Sequence, residues 1–320
     1  MFIMKKNNKK ARVLMISAAV VSAVYLINKT AFAVSTAKRK LTGGRQSFYS
    51  WKFGSIYYTR EGTGSPVLLI HDLDAAGCDY EWSRVRDLLA ESHTVYTIDL
   101  PGCGRSDKEK MIYINYLYVS AVSDFVKRVI KKRTDVITSG ISSSIAVMAC
   151  HGDPQLYGRL IFINPESFDN MVRVPGFSEK LLSRLLLLPL IGTSCYAFMN
   201  RRQAVAARLK ENAFEYPAGV SRELTDSFRE AAFLGGPSAR FAQASRTGHY
   251  TDVNVTHALR EIKNRIYLIG GEKVTDCGYI LNGYRFFDPE AECCTVKGKG
   301  MPHMEYPEET AAVLEKYMNE

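Results

Sequence analysis

The chain has 320 residues, 46% of them hydrophobic and 23% charged, a balance that excludes a disordered, collagen-like or disulfide-stapled protein and allows a sizeable core. Formal net charge is +9, yet ten of the 42 basic residues and none of the 33 acidic ones precede Gln46. The rest of the chain sums to −1, so the basic character belongs to one terminal segment. A nucleic-acid partner, which needs a basic patch on the body, is not expected.

That segment, residues 1–45, carries an uncharged run from Val13 to Ile27 and a second apolar stretch from Ala31 to Val34. Fifteen helical residues cover about 22 Å, short of a ~30 Å hydrocarbon core, so a membrane span must continue toward Ser35 with Lys29 snorkelling to the headgroups. The alternative is a secretory signal cleaved near Ala33, because Ala31, Phe32 and Ala33 form a small-x-small site after a basic start. Five basic residues flank each side of the run, so the positive-inside rule sets no orientation. The seven cysteines are odd in number and match no zinc spacing, which implies buried thiols and no metal.

From Ser47 onward strands and helices alternate. Ser47–Phe53 and Ser55–Arg60 read as short strands turned at Gly54, and Pro66–His71 as a strand covered on both faces. A helix over Tyr80–Ala90, a strand over Thr94–Leu100, a helix over Asn115–Lys132, a strand over Asp135–Ser139, a helix over Ser143–Cys150 and a strand over Leu160–Asn164 follow. Strand signals then stop until Arg265–Gly270 and Glu292–Val296. The interval, about 166–262, reads as helices over Glu179–Leu188, Asn200–Asn212, Arg222–Leu234 and Ser238–Thr247. A last helix covers Pro307–Met318. The predicted fold is α/β: a mostly parallel central sheet with helices on both faces and an inserted helical cap, all within residues 46–320.

Gly140-Ile141-Ser142-Ser143-Ser144 lies between a buried strand and a helix. A nucleophile on a tight strand-to-helix turn needs very small residues two before and two after it, and Gly140 and Ser144 satisfy that around Ser142. Residues 95–107, VYTIDLPGCGRSD, His71-Asp72, and the ending from Gly298 to Glu309 complete a resemblance to the α/β-hydrolase fold family over roughly Ser47 to Asn319. Asp99, Gly102, Gly104 and Ser106 match family positions that shape a loop.

The resemblance implies a serine hydrolase that cleaves a carboxylic ester, thioester or related acyl substrate with an apolar part, through an acyl-enzyme on Ser142 and without a cofactor. It implies oxyanion-hole amides at Leu73 and Ser143, and His303 as the base. Asp276 or Glu166 would hold the imidazole, with Glu272 a further carboxylate of the same loop region. Three positions depart from the family: Asp72 stands for glycine, Val274 for the acid and Gly300 for the catalytic histidine. These departures support the alternative expectation, a catalytically degenerate member that acts as a binding or scaffold module. Expected partners are a small acyl substrate and, through residues 1–45, a membrane.

Overall fold

The computed structural model describes residues 3–41 and 46–320, with side chains from Lys9 onward. The predicted boundary at 45/46 abuts residues 42–45, outside the described residues. Eight strands form one sheet: β1 (Ser47–Trp51), β2 (Gly54–Glu61), β3 (Ser65–Ile70), β4 (His93–Ile98), β5 (Thr134–Ser139), β6 (Tyr157–Ile163), β7 (Ile266–Gly271) and β8 (Glu292–Val296). Their order is β1-β2-β4-β3-β5-β6-β7-β8. Only the β1–β2 and β2–β4 pairs are antiparallel.

Alternate residues of the parallel strands supply two cores, as a period of two requires. Leu68, Ile70, Val136, Leu160 and Phe162 face one side, packed with α2 (Asn115–Phe125), α3 (Ser142–Gly152) and α9 (Cys277–Phe287). Val67, Leu69, Ile137, Ile161 and Ile163 face the other, against Trp82, Val85, Leu89 and α10 (Pro307–Asn319). The strand runs predicted from apolar continuity lie within a few residues of those observed. The helix predicted over Tyr80–Ala90 is instead two short turns, Asp79–Trp82 and Arg86–Leu89. Trp82, Val85 and Leu89 all enter the core, and Glu81 turns to the opposite side, beneath the site described below.

Between β6 and β7 the chain is helical: α4 (Phe177–Leu187), α5 (Ile191–Met199), α6 (Arg202–Arg208), α7 (Arg222–Phe233) and α8 (Ala239–Thr247). Helix α5 was not predicted, because Pro189 and Gly192 read as breakers. Gly192 is required there: any side chain would strike the carbonyls of Leu185 and Leu186 at the end of α4.

Helix α1 (Ile3–Thr36) has 34 residues, about 51 Å of helix. Its Lys9–Thr36 part is long and apolar enough to cross a membrane, and a signal sequence near an N-terminus meets the same description. Its last turns pack onto the cap. Phe32 is buried against Tyr196 and, edge on at 4.8 Å, Phe233. Asn28 bonds the Leu190 carbonyl at 3.2 Å and accepts from Ser194 at 3.0 Å, and Lys38 pairs with Asp226 at 2.8 Å. Just beyond, the Lys40 amide donates to Glu230 at 2.7 Å, and Leu41 is buried beside Cys78 and Ala231.

Candidate active site

Strand β3 is where the sheet order reverses, with β4 on one side and β5 on the other, and ligands of open α/β sheets bind beyond the carboxyl ends of strands at such points. Ile70 of β3 is paired with Thr138 of β5, so the loops that follow, His71-Asp72-Leu73 and Gly140-Ile141, meet above the sheet edge. Asn164 follows β6 beside them. A cavity of about 440 Å³ opens there, lined among others by Asp72, Gly140, Asn164, Glu166, Arg246 and Gly300.

The strand-to-helix turn is present, but its register is shifted by two from the predicted one. Its apex is Gly140, whose φ of +55° is the left-handed value that favours glycine. Ser142 is the first residue of α3, fully buried, and its Oγ donates to the His71 carbonyl at 2.6 Å. Ser142, expected as the nucleophile, thus lies two residues beyond the left-handed glycine, packed where the two backbone arms meet, and does not line the cavity. The apex position has no side chain.

The space a side chain at Gly140 would fill holds the Asp72 carboxylate, and a Cβ built on Gly140 would collide with it. Asp72 Oδ1 accepts the Leu73 amide at 2.8 Å and the Ile141 amide at 2.9 Å. Two backbone amides thus converge on one carboxylate oxygen at the cavity edge. Leu73 is one of the two amides expected as oxyanion donors; the other that converges is Ile141, not Ser143, whose N–H points back to the Gly140 carbonyl at 3.3 Å. Oδ2 has no hydrogen-bond partner among the described residues. Burial, with the Glu81 charge adding to it, pushes the Asp72 carboxyl up to about 7 against the opposing Ile141 amide and Arg246 charge.

His303 is buried, makes no hydrogen bond to Ser142 among the described residues and does not line the cavity. Its ring stacks on Trp82 at 4.4 Å and its Nε2 meets Glu81 Oε1 at 3.2 Å, while Nδ1 has no partner. Glu81 also accepts from the Asp72 amide at 3.1 Å and from Ser139 Oγ. Burial alone would push the Glu81 carboxyl up, but the His303 and Ser139 hydrogen bonds and the imidazole charges outweigh it and hold it below the usual range. Such a carboxylate contributes stability above the unfolded-state pKa that is lost as pH falls through the folded value. Glu81→Ala should therefore cost about 3–5 kcal/mol at pH 7, as expected for breaking a buried pair. Urea unfolding at pH 7 and pH 4 should show the variant's deficit shrinking at the lower pH.

The predicted acids separate. Asp276 is exposed just before α9 and, like exposed Glu272, does not line the cavity. Asp276 makes no hydrogen bond to His303 among the described residues; the carboxylate on the histidine is Glu81. Glu166 does line the cavity, bonded to Asn170 and 3.6 Å from Arg246, but not to His303. At Gly300 a side chain would strike the Asn212 carbonyl, and the Gly300 and Lys299 carbonyls accept from Asn164 at 3.0 and 2.8 Å. The backbone thus closes where the family carries its base.

Sequence reasoning missed Glu81, Ile141 and one further pair. His249, at φ +58°, bonds Asp252 at 2.6 Å and lies 3.6 Å from Glu179. It lines an adjoining cavity of about 350 Å³ that shares Leu73, Asp74, Asn170 and Arg246 with the first. Nothing in its local sequence marks it, since the pairing depends on the left-handed turn after α8. Asp99 binds the Asp79 and Arg105 amides at 2.6 and 2.7 Å and shapes the loop after β4, away from the reacting edge.

The sheet, the helical cap and the turn after β5 define an α/β hydrolase. Residues 67–313 match the Alpha/beta hydrolase family, and the chain belongs to that family. It is 28% identical over 137 residues to an uncharacterized protein of Mycobacterium tuberculosis (strain ATCC 25618 / H37Rv), covering 41% of this chain and 39% of that one. It is 28% identical over 109 residues to a soluble epoxide hydrolase of Corynebacterium sp. (strain C12), covering 34% and 37%. The matches thus span about two fifths of these relatives. Among solved structures, a membrane phospholipase A described as a bacterial virulence factor superposes with a TM-score of 0.68 at 21% identity, over 98% of both chains.

Proposed function

We propose that this α/β hydrolase works through the Asp72 carboxylate and opens a strained ether carbon, of the epoxide class, rather than cleaving an ester on Ser142. The observation that carries the reading is Asp72 Oδ1 seated on the Leu73 and Ile141 amides above a side-chain-free apex. An ester carbonyl has no access to those amides while Oδ1 holds them, and the carboxylate's charge opposes an oxyanion beside it. Ser142 Oγ faces a backbone carbonyl, not the cavity.

In the proposed reaction Oδ2 attacks a ring carbon as the ring C–O bond breaks, and the departing alkoxide takes a proton from water, leaving hydroxide. Hydroxide then adds to Cγ of the resulting ester. Charge develops on Oδ1, where the two amides already point. Collapse releases a diol and restores the carboxylate. The kinship to a soluble epoxide hydrolase supports this class of substrate. With no histidine lining this cavity, the second half should lag and the ester should accumulate. Incubation with a terminal aliphatic epoxide should give a one-equivalent mass increase that peptide mapping assigns to Asp72; an unmodified protein with no diol formed would overturn the proposal.

A second reading, a binding module that has lost turnover, is favoured by Gly300 and by His303 lying outside the cavity lining. It is distinguished by ligand-raised thermal stability without adduct or product. For residues 1–45 we propose an uncleaved anchor. The burial of Phe32 inside the would-be cleavage site and the bonds of Asn28, upstream of it, to the cap support it, as does the whole-chain superposition on a membrane phospholipase.

A further inference from the structure

We infer that the elbow between α4 and α5 is a second membrane contact, seated in the headgroup layer of an anionic bilayer beside the emerging α1. The two helices bend by 115° at the break between them and together are as long and apolar as a broken membrane span. From Lys180 to Arg201 the chain carries three basic residues, Lys180, Arg184 and Arg201, and no acidic one. On α5, Ile191 and Phe198 are 60% and 64% exposed while Gly192, Thr193 and Tyr196 of the opposite face are buried. Leu181 and Leu188 of the elbow are also exposed, flanked by exposed Lys180 and Arg184. Arg201 lies 3.8 Å from the Phe198 ring, an apolar side chain capped by a cation as at a lipid interface.

The occupant follows from continuity. Helix α1 reaches the body at this corner, where Asn28 bonds Leu190 and Ser194, and the two residues just before it, Leu26 and Ile27, are exposed apolar residues of the run suited to hydrocarbon. Because Phe32 packs on the cap, a bilayer around α1 ends at the elbow, and the span is completed toward Lys9 rather than toward Ser35 as the sequence suggests. Lys180, Arg184 and Arg201 at that level favour anionic lipid. The inference requires α1 to stay attached and is independent of the chemistry at Asp72.

The test uses the full chain, its intact mass checked, in nanodiscs with brominated acyl chains. Ile191→Trp and Phe198→Trp each place an indole at the elbow; Phe286→Trp, on exposed α9, is the distant control, and the wild type, with Trp51 and Trp82 buried, sets the background. Quenching above background is expected at 191 and 198, at least twofold that at 286, and larger with anionic than with zwitterionic lipid. Background quenching at 191 and 198, or equal quenching at all three sites, overturns the contact. Equal quenching in the two lipids overturns the choice of an anionic surface.

Discussion

Asp72→Asn is expected to abolish alkylation by an epoxide while making the folded protein more stable above pH 7. The amide keeps an oxygen for the Leu73 and Ile141 N–H groups but has no nucleophilic carboxylate. In the wild type, alkylation should rise with pH and level off above the Asp72 value of about 7, because only the ionised form attacks. The stability effect has the opposite sign to that of a salt-bridged aspartate. A carboxyl raised from 3.8 to about 7 binds its proton more tightly folded than unfolded, so stability falls as pH rises from about 4 to 7. The Asn variant lacks that slope, and thermal melts from pH 5 to 8 should cross the wild type's. Glu81→Gln removes the neighbouring charge and should move the alkylation midpoint to lower pH.

Gly140→Ser, which restores a hydroxyl to the apex, is expected to destabilise the protein by about 3 kcal/mol, combining ~1–2 kcal/mol for a side chain at positive φ with eviction of Asp72 from its two amides. Asp72→Gly in the same chain removes the obstacle, so the double variant should recover about 0.5–3 kcal/mol relative to the sum of the singles, the range for residues in contact. Additive losses in a urea-denaturation cycle would mean that the carboxylate does not occupy the apex. The double variant should still fail to hydrolyse esters, because position 300 has no room for an imidazole.

The sheet was legible because buried parallel strands leave continuous apolar runs such as VLLI and LIFI, and because turn residues bracket them. The register of the nucleophile turn was not. Thr138-x-Gly140-x-Ser142 and Gly140-x-Ser142-x-Ser144 both satisfy a rule for small residues, and the sign of φ at Gly140 chooses between them. The departures at Asp72 and Gly300 were visible one at a time. Their joint meaning was not, since it depends on loops after β3, β5 and β8 converging in space. His303 was legible as a candidate base; its link to Glu81, which spans 222 positions, was not.

The seam between α1 and the cap has a practical corollary for biochemistry. Expressing only 46–320 to gain solubility would bare Tyr196 and Phe233, strip Asp226 of its Lys38 ion pair and Glu230 of the Lys40 amide. The roof over the cavity would then relax by an amount set by the truncation, and affinities measured on that fragment would describe a looser vessel than the native one.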